Sequence, residues 1–193
     1  MKSFARILLL AACLFGVVPA RAQVFSADAV KAAFLFRFAS YVQWPADAPA
    51  GTFVIGVAES DAVADQLDRL LPGMNVRGQP AEVRRILKPS DVDGVHILYV
   101  GSGSLAKTRA FRTKAATLPI LLVTDDDKGF EAGGVINFLE AKRNVRFEIS
   151  LIAADRARLT IDSALLAVAA HVERRPQARL DCARCERVAA VAP

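Results

Sequence analysis

Val95-His96-Ile97-Leu98-Tyr99-Val100-Gly101-Ser102-Gly103-Ser104-Leu105-Ala106 decides the fold, because a nearly continuous apolar run passes through a glycine-rich turn directly into a helix start. An apolar run of this length bounded by glycine reads as a strand buried on both faces. Residues 104–116 read as the helix that follows and residues 120–124 as the next strand. Strand, helix and strand make a crossover unit, and crossover units build parallel sheets covered on both faces. Upstream, residues 53–58 repeat the buried-strand pattern, and residues 61–70 form a helical pattern closed by Pro72-Gly73. Residues 76–87 read as extended, with polar and apolar positions alternating from Glu82 to Leu87. Downstream, Gly133-Gly134, residues 135–140, the polar Lys142-Arg143-Asn144 and residues 145–151 read as two strands joined by a turn. A closing helix is expected over residues 162–173, His171 included, with Leu165, Leu166, Val168 and Ala169 on its apolar side. The expected fold class is α/β: a single domain with a mixed, mostly parallel β-sheet flanked by helices in the Rossmann-like manner, with a C-terminal antiparallel hairpin.

The segment ahead of the first strand has an unusual composition. Residues 28–42 predict a helix in which Asp28 caps the first turn, and Trp44-Pro45 ends the run. Five of the chain's 14 aromatic residues sit here: Phe34, Phe36, Phe38, Tyr41 and Trp44. Val30, Phe34, Phe38 and Tyr41 form one stripe, Ala32, Leu35, Phe36 and Ala39 put apolar atoms elsewhere, and only Lys31, Arg37, Ser40 and Gln43 interrupt. Such a helix must be covered on nearly every side, by its own fold or by a second molecule.

Location narrows the functions. Met1 to Arg6 carry two positive charges, Ile7 to Val18 form an apolar run of 12 residues, and Ala20-Arg21-Ala22 is a small-x-small cleavage pattern. Residues 1–22 therefore read as a secretory signal peptide, too short to span a bilayer. A retained anchor and an acylated Cys13 in Leu10-Ala11-Ala12-Cys13 are the alternatives, the latter weakened because the apolar run continues beyond the cysteine. Residues 23–175 are then one domain, and residues 176–193 a flexible tail rich in arginine and cysteine. With Lys2, Arg6 and Arg21 gone, the net charge falls from +5 to +2. The remaining Lys and Arg are spread along the chain apart from a group at Arg174, Arg175, Arg179, Arg184 and Arg187, which argues against nucleic acid as a partner. Cys182 and Cys185 in the tail can close a local disulfide in an oxidising compartment.

Gly101-Ser102-Gly103-Ser104-Leu105-Ala106 matches a G-x-G-x-x-A dinucleotide fingerprint, and Asp125 falls near the position of a ribose-binding acid. Nucleotide or small-ligand binding by residues 101–106 is accordingly the alternative function. Against it stand the exported location, the motif's place outside the first crossover and the lack of a hydride-transfer set; Ser102 or Ser104 as an N-cap explains the same residues. Asp125-Asp126-Asp127 lacks the spacing of a calcium loop and reads as a solvated turn. His96 and His171 offer no metal spacing, and no Gly-x-Ser-x-Gly elbow is present, so no catalytic residue, metal or cofactor is assigned. Arg146 and Glu148 share a strand face, where they can pair with each other or across the sheet.

An ordered set of stretches resembles the YfiR-like periplasmic proteins: residues 30–38 with Trp44-Pro45, His96 to Val100, Thr124-Asp125 with Gly129-Phe130, and Gly133 to Phe138 leading into Val145 to Ile149. The set extends over residues 30–172. The resemblance implies a non-catalytic periplasmic α/β protein that binds and represses the periplasmic sensor region of an inner-membrane diguanylate cyclase, or a related sensor protein, and so lowers cyclic di-GMP. An outer-membrane lipoprotein as a further partner and a homodimer stay open. The best-known members carry disulfides within the folded region, whereas the only mature cysteines here are in the tail. As partner-binding residues, the aromatic helix and the hairpin region nominate Phe34, Phe38, Tyr41, Trp44, Phe130, Phe138 and Arg143, since aromatics that escape the core make good interface anchors.

Overall fold

Six consecutive buried positions, Phe53–Ala58, form the strand β2 on which the sheet is built. The computed structural model describes residues 26–175 except 104, 127, 128, 132, 142 and 143; the signal-peptide reading, Arg143, Ser104, Cys182 and Cys185 lie outside the described residues. Side chains alternate through the sheet: Phe53, Ile55 and Val57 enter one apolar cluster with Ile97, Tyr99, Leu121 and Val123, while Val54, Leu98, Val100 and Leu122 enter a second on the opposite face.

In chain order the elements are α1 (Ala27–Tyr41), β1 (Val42–Gln43), β2, α2 (Asp61–Leu70), β3 (Asn75–Val76), β4 (Gln79–Arg85), β5 (Ile97–Val100), α3 (Leu105–Ala115), β6 (Leu121–Thr124), β7 (Ile136–Ala141), β8 (Asn144–Ser150), α4 (Leu151–Arg156), β9 (Thr160–Ile161), α5 (Ser163–Val168) and β10 (His171–Glu173). The main sheet runs β10-β8-β7-β6-β5-β2-β4-β3. Strands β4, β2, β5, β6 and β7 are parallel to their neighbours in that run, and β7 and β8 form the antiparallel hairpin. The α/β class, the mixed sheet and the hairpin are as the sequence predicts. Helices α1 and α2 contribute to the first apolar cluster and α3, through Phe111 and Ala115, to the second.

Four local expectations are corrected. The N-cap of α1 is Ser26, whose hydroxyl accepts from the Ala29 N–H, and Asp28 lies in the first turn, where its charge still suits the helix dipole. The closing helix stops at Val168 and His171 stands in β10, because backbone groups there complete the outer edge of β8: His171 pairs with Glu148 in parallel register, and the Ala170 N–H donates to Phe147 O. The second hairpin strand, expected to run to Leu151, ends at Ser150, and Leu151 opens the helix α4, capped by the Ser150 hydroxyl accepting from Ala153 N–H. Residues 76–87 contain a turn at Arg77-Gly78 that splits them into β3 and β4. The antiparallel pair of β1 with β9, which carries no sequence signal of its own, ties the end of α1 to the segment before α5.

Candidate functional site

The crossover from β2 runs outward to β4 and that from β5 runs the other way to β6, so the strand order reverses between β2 and β5. A crevice forms at such a switch point beyond the carboxyl ends of the strands. Here it is a cleft of about 560 Å³ lined by Asp28 and Lys31 of α1, Glu59 and Ser60 after β2, Tyr99, Gly101 and Ser102 at β5, and Asp125 and Asp126 after β6. Lys31 is buried at 3% exposure, and its Nζ stands 2.6 Å from Asp125 Oδ2. The Tyr99 hydroxyl donates to the same oxygen at 3.0 Å. Asp125 is therefore a partly buried counter-charge rather than part of a solvated turn. Charged groups removed from water need such pairing. Sequence reasoning missed Lys31, Tyr99, Asp125 and Glu59 as a group; the available signal was Lys31, a charge beside Ala32 and in line with Leu35 in a helix with few polar residues.

The glycine-rich turn does not present an open cradle. A Cβ on Gly101 would lie 2.7 Å from Glu59 O, and one on Gly103 would lie 2.9 Å from Glu59 Oε2. The close approach that these glycines permit is thus occupied by Glu59, a carboxylate held in the left-handed region at φ 58°. A phosphate seeking backbone N–H groups there would meet a carboxylate of its own sign.

A second polar knot explains Gly129 and Gly134. Asn137 is fully buried; its Oδ1 accepts from Thr124 Oγ1 at 2.9 Å and Asp126 N–H at 3.3 Å, while its Nδ2 donates to Asp126 O and Glu148 Oε1, both at 3.0 Å. Glu148 thus pairs across the hairpin, one of the two options its face allowed. A Cβ on Gly129 would fall 2.2 Å from Asn137 Cγ, and one on Gly134 would fall 2.7 Å from Thr124 Oγ1. Only glycine lets the backbone close over this amide.

His96 is a structural latch. Its Nδ1 accepts from Val54 N–H at 3.1 Å and its Nε2 stands 2.9 Å from Pro49 O, the arrangement of a neutral ring that donates to Pro49. Burial lowers its pKa, and the backbone bond to Pro49 opposes that in part. Trp44 donates from Nε1 to His96 O at 3.2 Å and meets Phe53 edge-on at 5.2 Å.

The nominated aromatics divide by burial. Phe38 and Phe138 are 0% and 2% exposed and form one cluster with Phe34, Phe147 and Tyr99. They hold α1 to the hairpin, so a partner reaches them only by opening the core. Phe34, Tyr41, Trp44 and Phe130 are half-buried and keep some surface. Beside Phe34 lies an apolar groove of about 580 Å³ between α1 and α2, lined by Val30, Ala33, Phe34 and Arg37 on one side and Gln66, Arg69 and Leu70 on the other. Among the described residues no helix is long and apolar enough to cross a membrane, and no group of His, Cys, Asp and Glu is gathered to hold a metal ion.

A conserved domain protein from Vibrio cholerae superposes with a TM-score of 0.50 at 16% identity, over 77% of this chain and 61% of that one. The ABC domain in complex with L-Trp from Streptococcus pneumonia gives a TM-score of 0.46 at 12% identity, over 62% of this chain and 55% of that one. This chain spans less than two thirds of either structure, and the first likeness concerns the fold alone. No curated protein matches. A family model described as YfiR/HmsC-like matches residues 28–170, from the first turn of α1 to the residue before β10. A match over well over half of the chain means that the chain belongs to the YfiR/HmsC-like family.

Proposed function

We propose that the protein is a non-catalytic periplasmic regulator that binds the periplasmic sensor region of an inner-membrane diguanylate cyclase and represses it, lowering cyclic di-GMP. The family is one of periplasmic regulatory proteins, and membership over residues 28–170 is the observation that carries this reading. The partly uncovered aromatic flank of α1 supports it, since apolar surface left on a folded domain favours a protein partner. In this reading residues 1–22 are removed on export, residues 23–175 are the regulatory domain and residues 176–193 a tail whose Cys182 and Cys185 can pair. Phe34, Tyr41, Trp44, Phe130 and Arg143 are the contact candidates, and an outer-membrane lipoprotein or a second copy is a further partner. The test joins a pull-down from periplasm and inner membrane with cyclic di-GMP measured after deletion. Capture of a membrane cyclase and a rise in cyclic di-GMP are expected; unchanged levels with no cyclase captured would refute the reading.

A second reading follows from the cleft at the switch point, whose place and volume suit a small polar ligand. The carboxylate of Glu59 beside Gly103 disfavours a nucleotide there. Calorimetry of the mature domain with NAD, ATP and GMP separates the two: saturable binding lost in Gly103→Val with the fold intact would favour the ligand reading.

A further inference from the structure

We propose that the groove between α1 and α2 is the docking site for an acidic amphipathic helix of the regulated partner, an inference that rests on the regulatory reading above. Val30, Ala33, Phe34 and Arg37 follow the i, i+3, i+4, i+7 spacing of one helix face, a face different from the buried one of Lys31, Ala32, Leu35, Phe38 and Ala39. Opposite them, Gln66, Arg69 and Leu70 of α2 follow the same spacing. Of the groove's lining, Ala29, Ala32 and Ala33 are small, and a floor of small side chains lets another backbone approach closely. From Ala29 to Arg37 the groove is about 12 Å long, roughly two helical turns. That length accommodates the apolar stripe of one short helix.

Charge identifies the occupant. Arg37 and Arg69 are exposed at the rim and make no ion pair among the described residues. The acids nearest in sequence on α2 turn elsewhere: Asp65 and Asp68 both hold Arg85, at 2.5 and 2.7 Å. No acidic residue lines the groove. A two-fold contact between copies of this chain would bring four guanidinium groups into one interface with no carboxylate from the groove to meet them, which disfavours a second copy. A partner helix with apolar residues on one face and Asp or Glu at its borders satisfies both the floor and the rim.

The test uses the producing bacterium with the full gene at its own locus. Three strains carry the deletion, Arg37→Glu/Arg69→Glu, and Ala33→Trp, the last filling the groove without changing charge. In parallel, a photo-crosslinking benzoylphenylalanine replaces Gln66 in the groove or Ala110 on α3, across the sheet, and crosslinked peptides are sequenced by mass spectrometry. Both variant strains should raise cyclic di-GMP to the deletion level, with thermal unfolding of the purified proteins unchanged. In the Arg37→Glu/Arg69→Glu background, the crosslink from Gln66 should fall about tenfold. The captured peptide should be net negative with apolar residues at i, i+3, i+4 and i+7. If the deletion raises cyclic di-GMP while both variants keep the wild-type level, the groove is not the docking site and the regulatory reading stands. If the deletion changes nothing, the regulatory reading fails and the groove proposal with it. A crosslink to a second copy of this chain, to a neutral or basic segment, or equally from Ala110 also overturns the proposal.

Discussion

Lys31 and Asp125 show how much one pair can hold. Lys31→Met strips a partly buried carboxylate of this counter-charge, and the expected cost is about 3 kcal/mol. The double variant Lys31→Met/Asp125→Asn should recover much of it, because replacing both charges removes the stranded one. Urea denaturation of the three proteins checks the order; equal losses in single and double variants would show that the stranded carboxylate carries no cost. His96 makes a pH prediction. Burial lowers its folded pKa below the unfolded value near 6.5, so the unfolded chain takes up the proton more readily. The stability it confers is complete above pH 6.5 and is lost as the pH falls from there through the lowered folded value. His96→Gln should cost about 1–3 kcal/mol at pH 8 through the lost contacts with Val54 and Pro49. It should also show a smaller further drop in Tm between pH 8 and pH 5 than the wild type, and a parallel decline in both proteins would reject this role.

At the scale of elements, α1 is apolar on most sides because several sides are covered: by the sheet beneath Phe38, the hairpin against Phe34, and α2 beside it. Phe38→Ala, at a site of 0% exposure, should cost about 3–5 kcal/mol, with Phe34→Ala costing clearly less because Phe34 keeps surface toward the groove. Similar losses from thermal unfolding would mean that the groove face is closed. The glycines offer a paired test on the loops. Gly134→Ala puts a methyl 2.7 Å from Thr124 Oγ1 and 2.9 Å from the Gly129 carbonyl, neither able to retreat far, and about 1–3 kcal/mol of destabilisation is expected. Gly103→Ala has only side-chain atoms of Glu59 as its nearest neighbours, at 2.9 to 3.0 Å, and should be milder. Reversal of that order would show that the Asn137 knot is looser than its four hydrogen bonds imply.

For the whole molecule, Glu59 packed on Gly103 predicts that calorimetry with ATP or NAD gives no saturable heat with the purified protein, and a bound nucleotide would overturn this role of Glu59 at the glycine turn. Strand β2, helix α2 and the hairpin were legible in the amino-acid order because buried strands and helix ends carry local signals: apolar runs, Pro72-Gly73 after α2, and Gly-rich breaks. The family motifs were legible too, as ordered stretches. What α1 does with each of its faces was not legible, because a helix apolar on nearly every side has little periodic asymmetry to point inward. The short β10 escaped for a related reason: Ala169, Ala170, His171 and Val172 continue a helical pattern acceptably, and only the vacant edge of β8 draws them into a strand. The sequence by itself determined the α/β class, the crossovers and the hairpin, since these depend on neighbours a few residues apart. Tertiary structure alone decided that Lys31 meets Asp125 across 94 residues, that Glu59 fills the glycine turn, and that Arg37 and Arg69 flank one groove, because those contacts depend on how the sheet orders its strands.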